Sequence, residues 1–409
     1  MAEPTNLDSI RDREPFFDPY DWRIHEDPYP FYARLREKAP VYHNEERDFF
    51  ALSRHADVLS AFRDPELFSN AQGVSLERDV REARAVMSFL AIDPPEHGRL
   101  RALVSSGFTP RRVRAQQTPI RNLAHRYIDD FVEKGQCDFI EEFAGRLPMD
   151  VVSEMLGVPA PDRDALRAFA DLVVHREQGN PAVPQAGMEA AAELLRYFAE
   201  HVNKSRANPE DDLTGALIKA EIAGDRLADT EIIAFLFLMI IAGNETTTKL
   251  LANALYWLSK NPGERSRVEA NPKLIASWVE ETLRYDPSSQ LLARTTTREL
   301  TLHGTAIPKG ARVALLVGSG NRDERVFPSP DRFDITRNTT ASLAFGQGTH
   351  FCLGASLARL ESCVALECIL ERLPDWQLSK EGRVRIHSSN VRGFAHFPIA
   401  FQPGPRRSS

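Results

Sequence analysis

The chain of 409 residues has few cysteines, no membrane-length apolar run and no excess of basic charge. Cys137, Cys352, Cys363 and Cys368 form no Cys-x-x-Cys pair and no zinc-type spacing. That argues against a disulfide framework or a zinc module and for a reducing compartment. A net charge of −7 and a pI near 5.9 give no global footprint of a nucleic-acid binder. The longest apolar run, 232–242, falls short of the roughly 20 residues that cross a bilayer. The opening MAEPTNLDSIRDREP has no apolar core, so a soluble, cytoplasmic protein with no membrane partner is expected. No Gly-x-Gly-x-x-Gly marks a dinucleotide site, and no Gly/Ser linker, low-complexity tract or internal repeat divides the chain.

What is present concentrates in Phe345-Gly346-Gln347-Gly348-Thr349-His350-Phe351-Cys352-Leu353-Gly354. Leu357, Leu360, Val364 and Cys368 follow at helical spacing, which predicts a helix from Leu353 to about Leu373 with Cys352 at its N-terminus. Free backbone N–H groups and the helix dipole there favour a thiolate. Gly346, Gly348 and Gly354 are expected to give the loop its positive φ angles and bring amides near the sulfur. This chemistry suits a thiolate metal ligand.

The decapeptide resembles the haem-binding loop of the cytochrome P450 family, Phe-x-x-Gly-x-x-x-Cys-x-Gly, and the likeness to the soluble bacterial members extends from about Pro28 to Phe397. The resemblance implies a mostly helical fold with small β-sheets, one large domain (28–402) around haem b, an extended lead-in (1–27) and a disordered tail (403–409). It implies that Cys352 is the axial ligand of the haem iron, that Phe345 packs beside the sulfur and Gly346 beside the cofactor, and that His350 binds a propionate.

Other segments take their meaning in chain order. Val74, Met87, Phe89 and Leu90 belong to an aperiodic region and are either pocket-facing or core. His97 and Arg101 stand four apart after Asp93-Pro94-Pro95, hence on one helical face. The resemblance makes them propionate ligands together with Arg294. Between His97 and Arg126 lie seven arginines and no acid, read either as scattered solvated faces or as a basic patch. In the family this region faces an acidic ferredoxin.

A long core helix is expected from Asp229, as N-cap, to Ser259. The polar stretch Gly243 to Thr248 is expected to interrupt it at the cost of burying a carboxylate and hydroxyls. Ala242-Gly243-Asn244-Glu245-Thr246 resembles the family's oxygen-activation motif. There Ala242 and Gly243 abut the haem, Gly243 opens the helix for dioxygen, Thr246 hydrogen-bonds it and Glu245 relays protons. Phe237, Leu238 and Ile241 are expected to face substrate, as are Leu291, Leu292, Ala293 and Ala395. Glu281 and Arg284, at i,i+3, match a structural Glu-x-x-Arg pair with Arg322 or Arg332 as its third member.

These expectations describe a monooxygenase that inserts one atom of O2 into a lipophilic small molecule by hydroxylation or epoxidation, with electrons from ferredoxin and its reductase. A peroxygenase, against which Glu245-Thr246 argues, and a non-catalytic haem ligand carrier or sensor are the alternatives. Nothing in the sequence chooses the substrate.

Overall fold

A computed structural model of the chain describes residues 14–77, 86–175, 182–222 and 224–407. The labelled helices are α1 (Glu96–Ser105), α2 (Gln117–Phe131), α3 (Leu147–Met155), α4 (Arg163–Val174), α5 (Gln185–Ala207), α6 (Asp229–Lys260), α7 (Ile275–Tyr285) and α8 (Ala355–Arg372). The main sheet comprises β1 (Val41–Asn44), β2 (Phe49–Leu52), β3 (Phe68–Ser69), β4 (Leu291–Thr296) and β5 (Arg312–Leu316), in the order β1-β2-β5-β4-β3. Only the β2–β5 contact is parallel. The extended lead-in contains a short helix, Trp22–Glu26, which Asp21 caps by accepting from the Arg23 N–H at 2.8 Å. The polar turn Gly179-Asn180-Pro181, which the family resemblance makes the lid over substrate access, lies outside the described residues.

Period two along β4 sorts its side chains. Leu291 and Ala293 enter a cluster with Phe17, Ile24 and Phe31. Leu292 joins the opposite cluster, around Phe62, and the Arg294 guanidinium lies 5.4 Å from the Phe62 ring centroid. Leu291 and Ala293, expected to line the substrate pocket, therefore face away from Arg294 and into the Phe17 cluster. One residue of offset turns a strand side chain to the other face.

The helical layer has two cores joined by α6. Leu250 to Leu258 pack with α2, α7 and α8, whereas Ile232 to Ile240 pack with α1, α3, α4 and α5. The polar stretch sits where α6 passes from one core to the other, and the helix is continuous through it. Thr246 Oγ1 donates to the Ala242 carbonyl at 3.0 Å and Thr248 Oγ1 to that of Ala144 at 2.9 Å, so both hydroxyls are satisfied without a break. Ala228, not Asp229, is the N-cap: its N–H donates to Glu231 at 2.8 Å, leaving Asp229 free to pair with Arg206. Among the described residues α6 is long and apolar enough to cross a membrane, but it is the central core helix.

Glu281 and Arg284 on α7 are fully buried and joined by contacts of 2.8 and 2.7 Å. Arg284 also donates to the carbonyls of Asn321 (3.0 Å), Pro330 (2.9 Å) and Arg332 (3.3 Å). The third charged member is Arg337, whose Nε lies 3.3 Å from Glu281. Arg322 instead stacks over Tyr285 and Tyr29, and Arg332 offers only its carbonyl to Arg284. Residues 403–407 are not loose: the Gly404 N–H donates to Val132 O at 3.1 Å, Arg372 to Pro405 O at 3.0 Å, and Arg407 pairs with Glu371. The basic tail finds its partners on α8 and at the end of α2, where Arg406 pairs with Glu133. Arg284→Met strands a buried carboxylate and is expected to cost about 3–5 kcal/mol, read as a lower urea midpoint at unchanged m-value.

Candidate active site

The loop before α8 closes on itself through the Cys352 N–H, which donates to the Phe345 carbonyl at 2.9 Å. Gly346 (φ 67°) and Gly348 (φ 71°) hold left-handed conformations, and a Cβ on Gly348 would lie 2.6 Å from the Phe62 carbonyl oxygen. Gly354 does not share that role: its φ is −82°, and it serves as the N-cap of α8. Burial pushes the Cys352 thiol up, while the Gly354 and Ala355 amides and the Arg101 and Arg359 charges oppose that shift. Such a sulfur is held as a thiolate only with a cation bound to it. Arg359 was not anticipated; its guanidinium lies 4.5 Å from the Phe345 ring centroid and pairs with Glu280.

Beside the loop the chain brings together His97, Arg101, Arg294 and His350. The His97 and His350 ring centroids are 4.0 Å apart. Burial and the neighbouring Arg101 lower His97 to about 4. His350 is lowered to about 3 by burial, then by His97, Arg294 and Arg101. Arg294, 3% exposed, is lowered to about 10 by burial and by Arg312. Arg101 donates through Nη2 to the Phe351 carbonyl, whereas its Nη1, His97 Nε2 and both ring nitrogens of His350 are buried without a hydrogen-bond partner. Asp93, the carboxylate acting on this cluster, is held by Ser69 and Asn70.

On α6, Glu245 is buried with its Oε1 3.1 Å from Lys249 Nζ, at an angle too poor for a hydrogen bond. Lys249 went unnoticed in the sequence, although i,i+4 spacing is its signal. Ala242 is exposed and Thr246 half-buried on a helix otherwise sunk in the core, which marks the open face of α6. Gly243 is turned away from that face: a Cβ there would meet Val152 Cγ2 at 2.9 Å, so the glycine lets α3 and α6 approach rather than making room for dioxygen. Phe237 and Leu238 are core, Ile241 packs at its margin, and Leu353 of the cysteine loop meets the same cluster. Phe89 is also core, with its ring 5.8 Å from His97; Leu90 packs beside it, and Met87 is half-buried. Val74 accepts the Ala293 N–H at 2.7 Å through its carbonyl, and Ala395 is half-buried in the strand Phe394–His396.

The seven arginines form no free patch. Arg99 pairs with Asp225 and Glu231, Arg112 with Asp211, Arg121 with Glu367 and Arg126 with Asp150, while Arg101 faces the histidine cluster. Among the described residues Arg111 and Arg114 are exposed with no ion pair. The compensating acids come from distant segments.

A thiol at a glycine-shaped helix start, partnerless buried nitrogens beside it and an acid–hydroxyl pair on a core helix together make the arrangement of a haem-thiolate oxygenase. A family model for cytochrome P450 matches residues 180–396, and the chain belongs to that family of haem-b monooxygenases. The chain is 55% identical over 396 residues, 96% of its length and 98% of the relative's, to putative cytochrome P450 123 of Mycobacterium tuberculosis. It is 35% identical over 378 residues to a steroid C26-monooxygenase of the same organism, covering 91% of this chain and 94% of that one. The solved cytochrome P450 CYP109Q5 from Chondromyces apiculatus superposes with a TM-score of 0.88 at 35% identity, covering 95% of this chain and 98% of that one. The residues present fit haem b, because the buried nitrogens left without acceptors are the complement of its two carboxylates.

Since His97 and His350 have folded values below the ordinary 6.5, the unfolded chain binds more protons in acid. The stability that their neutral forms contribute is present above about pH 6.5 and is lost as pH falls toward 4 and then 3. Urea titrations of the haem-free chain over this range should show that loss, flattened in His350→Gln.

Proposed function

We propose that Cys352 holds the haem iron through Sγ, that His97, Arg101, Arg294 and His350 hold the propionates, and that the open face of α6 around Ala242 and Thr246 forms the wall where dioxygen is used. The observation that carries this reading is the set of partnerless buried donors next to a thiol on which two backbone amides act. Haem bound here supplies the activation of O2, one atom of which enters a C–H or C=C bond while the other leaves as water. The chain's part is to present the sulfur, exclude bulk water and deliver protons. Glu245, steadied by Lys249, passes protons toward the Thr246 hydroxyl one residue on. Glu281, Arg284 and Arg337 serve the fold. Residues 28–402 act as one domain, in the cytoplasm.

The substrate is a lipophilic small molecule, since Leu90, Ile241, Ala242, Leu292 and Ala395 offer hydrocarbon and no charge. The steroid C26-monooxygenase among the relatives makes sterol-type compounds the first to screen, by the Soret shift on binding. Electrons come from an acidic ferredoxin that docks where Arg111, Arg112 and Arg114 meet the α8 side of the molecule. The exposed Arg112–Asp211 pair, at 3.4 Å, is worth under about 1 kcal/mol and opens readily to a partner.

Cys352→Ser should abolish the thiolate-type absorption of the reduced carbon monoxide adduct together with turnover; retention of both overturns the assignment. Thr246→Ala should consume NADPH with product yield down about tenfold or more. Arg112→Glu with Arg114→Glu should slow reduction by ferredoxin and flatten its salt dependence in stopped flow, whereas unchanged kinetics remove this docking face.

A further inference from the structure

Residues 286–290, between α7 and β4, run antiparallel to 390–392. The Arg392 N–H donates to the Ser288 carbonyl at 2.7 Å, the Gln290 N–H donates to the Asn390 carbonyl at 2.8 Å, and Ser289 bridges to Val391. This strap lies along one stripe of α6. Asn253 Nδ2 donates to the carbonyls of Asp286 at 3.1 Å and Arg392 at 3.2 Å. One turn back, Gly393 sits against the Lys249 stem, where a Cβ would lie 2.5 Å from Lys249 Cβ. A further turn back, Ser288 Oγ donates to the Thr246 carbonyl at 2.7 Å. Positions 246, 249 and 253 share a helix face, so the strap meets α6 at successive turns. In a continuous α-helix the Thr246 oxygen already takes the N–H four residues on, and the serine hydroxyl is a second donor to it.

We propose that Ser288 is a positioning residue for Thr246, holding the backbone beneath its hydroxyl and linking that hydroxyl to the strap that leads to Ala395. The inference rests on the reading of Thr246 as the hydroxyl that meets dioxygen. Thr246 Oγ1 donates to the Ala242 carbonyl at 3.0 Å, so it must turn from that oxygen to serve another acceptor. Its reach after the turn depends on where the Thr246 backbone stands, and a functional donor has to be held within about 0.5 Å of its productive place. Ala242 is exposed and Thr246 half-buried, so little covers that face of α6, and the hold on the Thr246 carbonyl comes from the buried Ser288. The same serine takes the Arg392 N–H on its carbonyl, and Ala395 follows three residues on. A molecule pressing on Ala395 therefore bears on Thr246 through one side chain. Without the serine hydroxyl the Thr246 carbonyl keeps its helical bond, so α6 stays folded while the threonine hydroxyl loses its fixed place.

The test uses the haem-loaded, full-length enzyme with carbon monoxide as the probe, and the variants Ser288→Ala, Thr246→Ala and the two combined. The infrared C–O stretch of the reduced adduct responds to polar groups beside the bound gas. Ser288→Ala should shift or broaden that band, and in the Thr246→Ala background it should add nothing, because it acts through the threonine hydroxyl. With ferredoxin, its reductase and the sterol that shifts the Soret band most, product formed per NADPH should fall about two- to tenfold in Ser288→Ala, the worth of one hydrogen bond. Substrate affinity should be unchanged. An unmoved band in Ser288→Ala, even beside a lowered urea midpoint, makes the bond structural only and overturns the proposal. An equal shift with and without the Thr246 hydroxyl overturns it as well. A band that Thr246→Ala itself leaves in place overturns the Thr246 reading, whereas a band moved by Thr246→Ala and not by Ser288→Ala overturns only the part given to Ser288.

Discussion

Buried nitrogens without a partner are what the molecule is built around. Buried guanidinium and imidazole groups normally find acceptors, yet Arg101, His97 and His350 converge next to Arg294 with buried nitrogens unsatisfied, beside a thiol whose burial opposes its ionisation. Each of these features is costly alone. A single planar group that carries two carboxylates at its rim and a metal cation at its centre relieves all of them. The folded chain is thus incomplete electrostatically in the shape of its cofactor, and the same cost would meet any chain that placed these groups together without haem to bind.

Holding that arrangement falls to contacts some distance away. The Glu281–Arg284–Arg337 knot is locked onto the carbonyls of 321, 330 and 332, which precede the cysteine loop. Asn321 then accepts the Leu343 N–H at 2.7 Å, two residues before Phe345. Charge buried at zero exposure tolerates little displacement, because every carbonyl that moves leaves a guanidinium hydrogen unsatisfied. The backbone on which the sulfur sits inherits that rigidity.

Helix α6 meets a different demand. A helix that passes from one apolar core to the next has a stretch where side chains may be polar, provided that each finds a partner within a turn or on an adjacent helix. Thr246 and Thr248 use carbonyls, and Glu245 uses Lys249. The expected break is absent: the threonine hydroxyls are bonded and Glu245 has a counter-charge within one turn, which lowers the penalty that would have caused it. An acid and a hydroxyl are thereby kept in the middle of the molecule without loosening the helix that carries them.

Much of what is caused within one turn or one loop was legible in the amino-acid order, although the Ala228 cap, the negative φ of Gly354 and the Lys249 partner of Glu245 were not. The thiol at the start of α8, the His97–Arg101 face, the Glu245–Thr246 pair and the core character of α6 all depend on spacing along the chain, which a helix converts directly into direction. What the tertiary structure decided was every partner brought from far away: Arg337 rather than Arg322 or Arg332 for Glu281, Phe62 beneath Arg294, and the acids that cover most of the arginines between 97 and 126. The face of β4 that meets Arg294 and the turn of Gly243 toward Val152 were decided in the same way. Spacing sets the direction of a side chain relative to its own element, whereas its neighbour depends on how elements separated by tens or hundreds of residues pack.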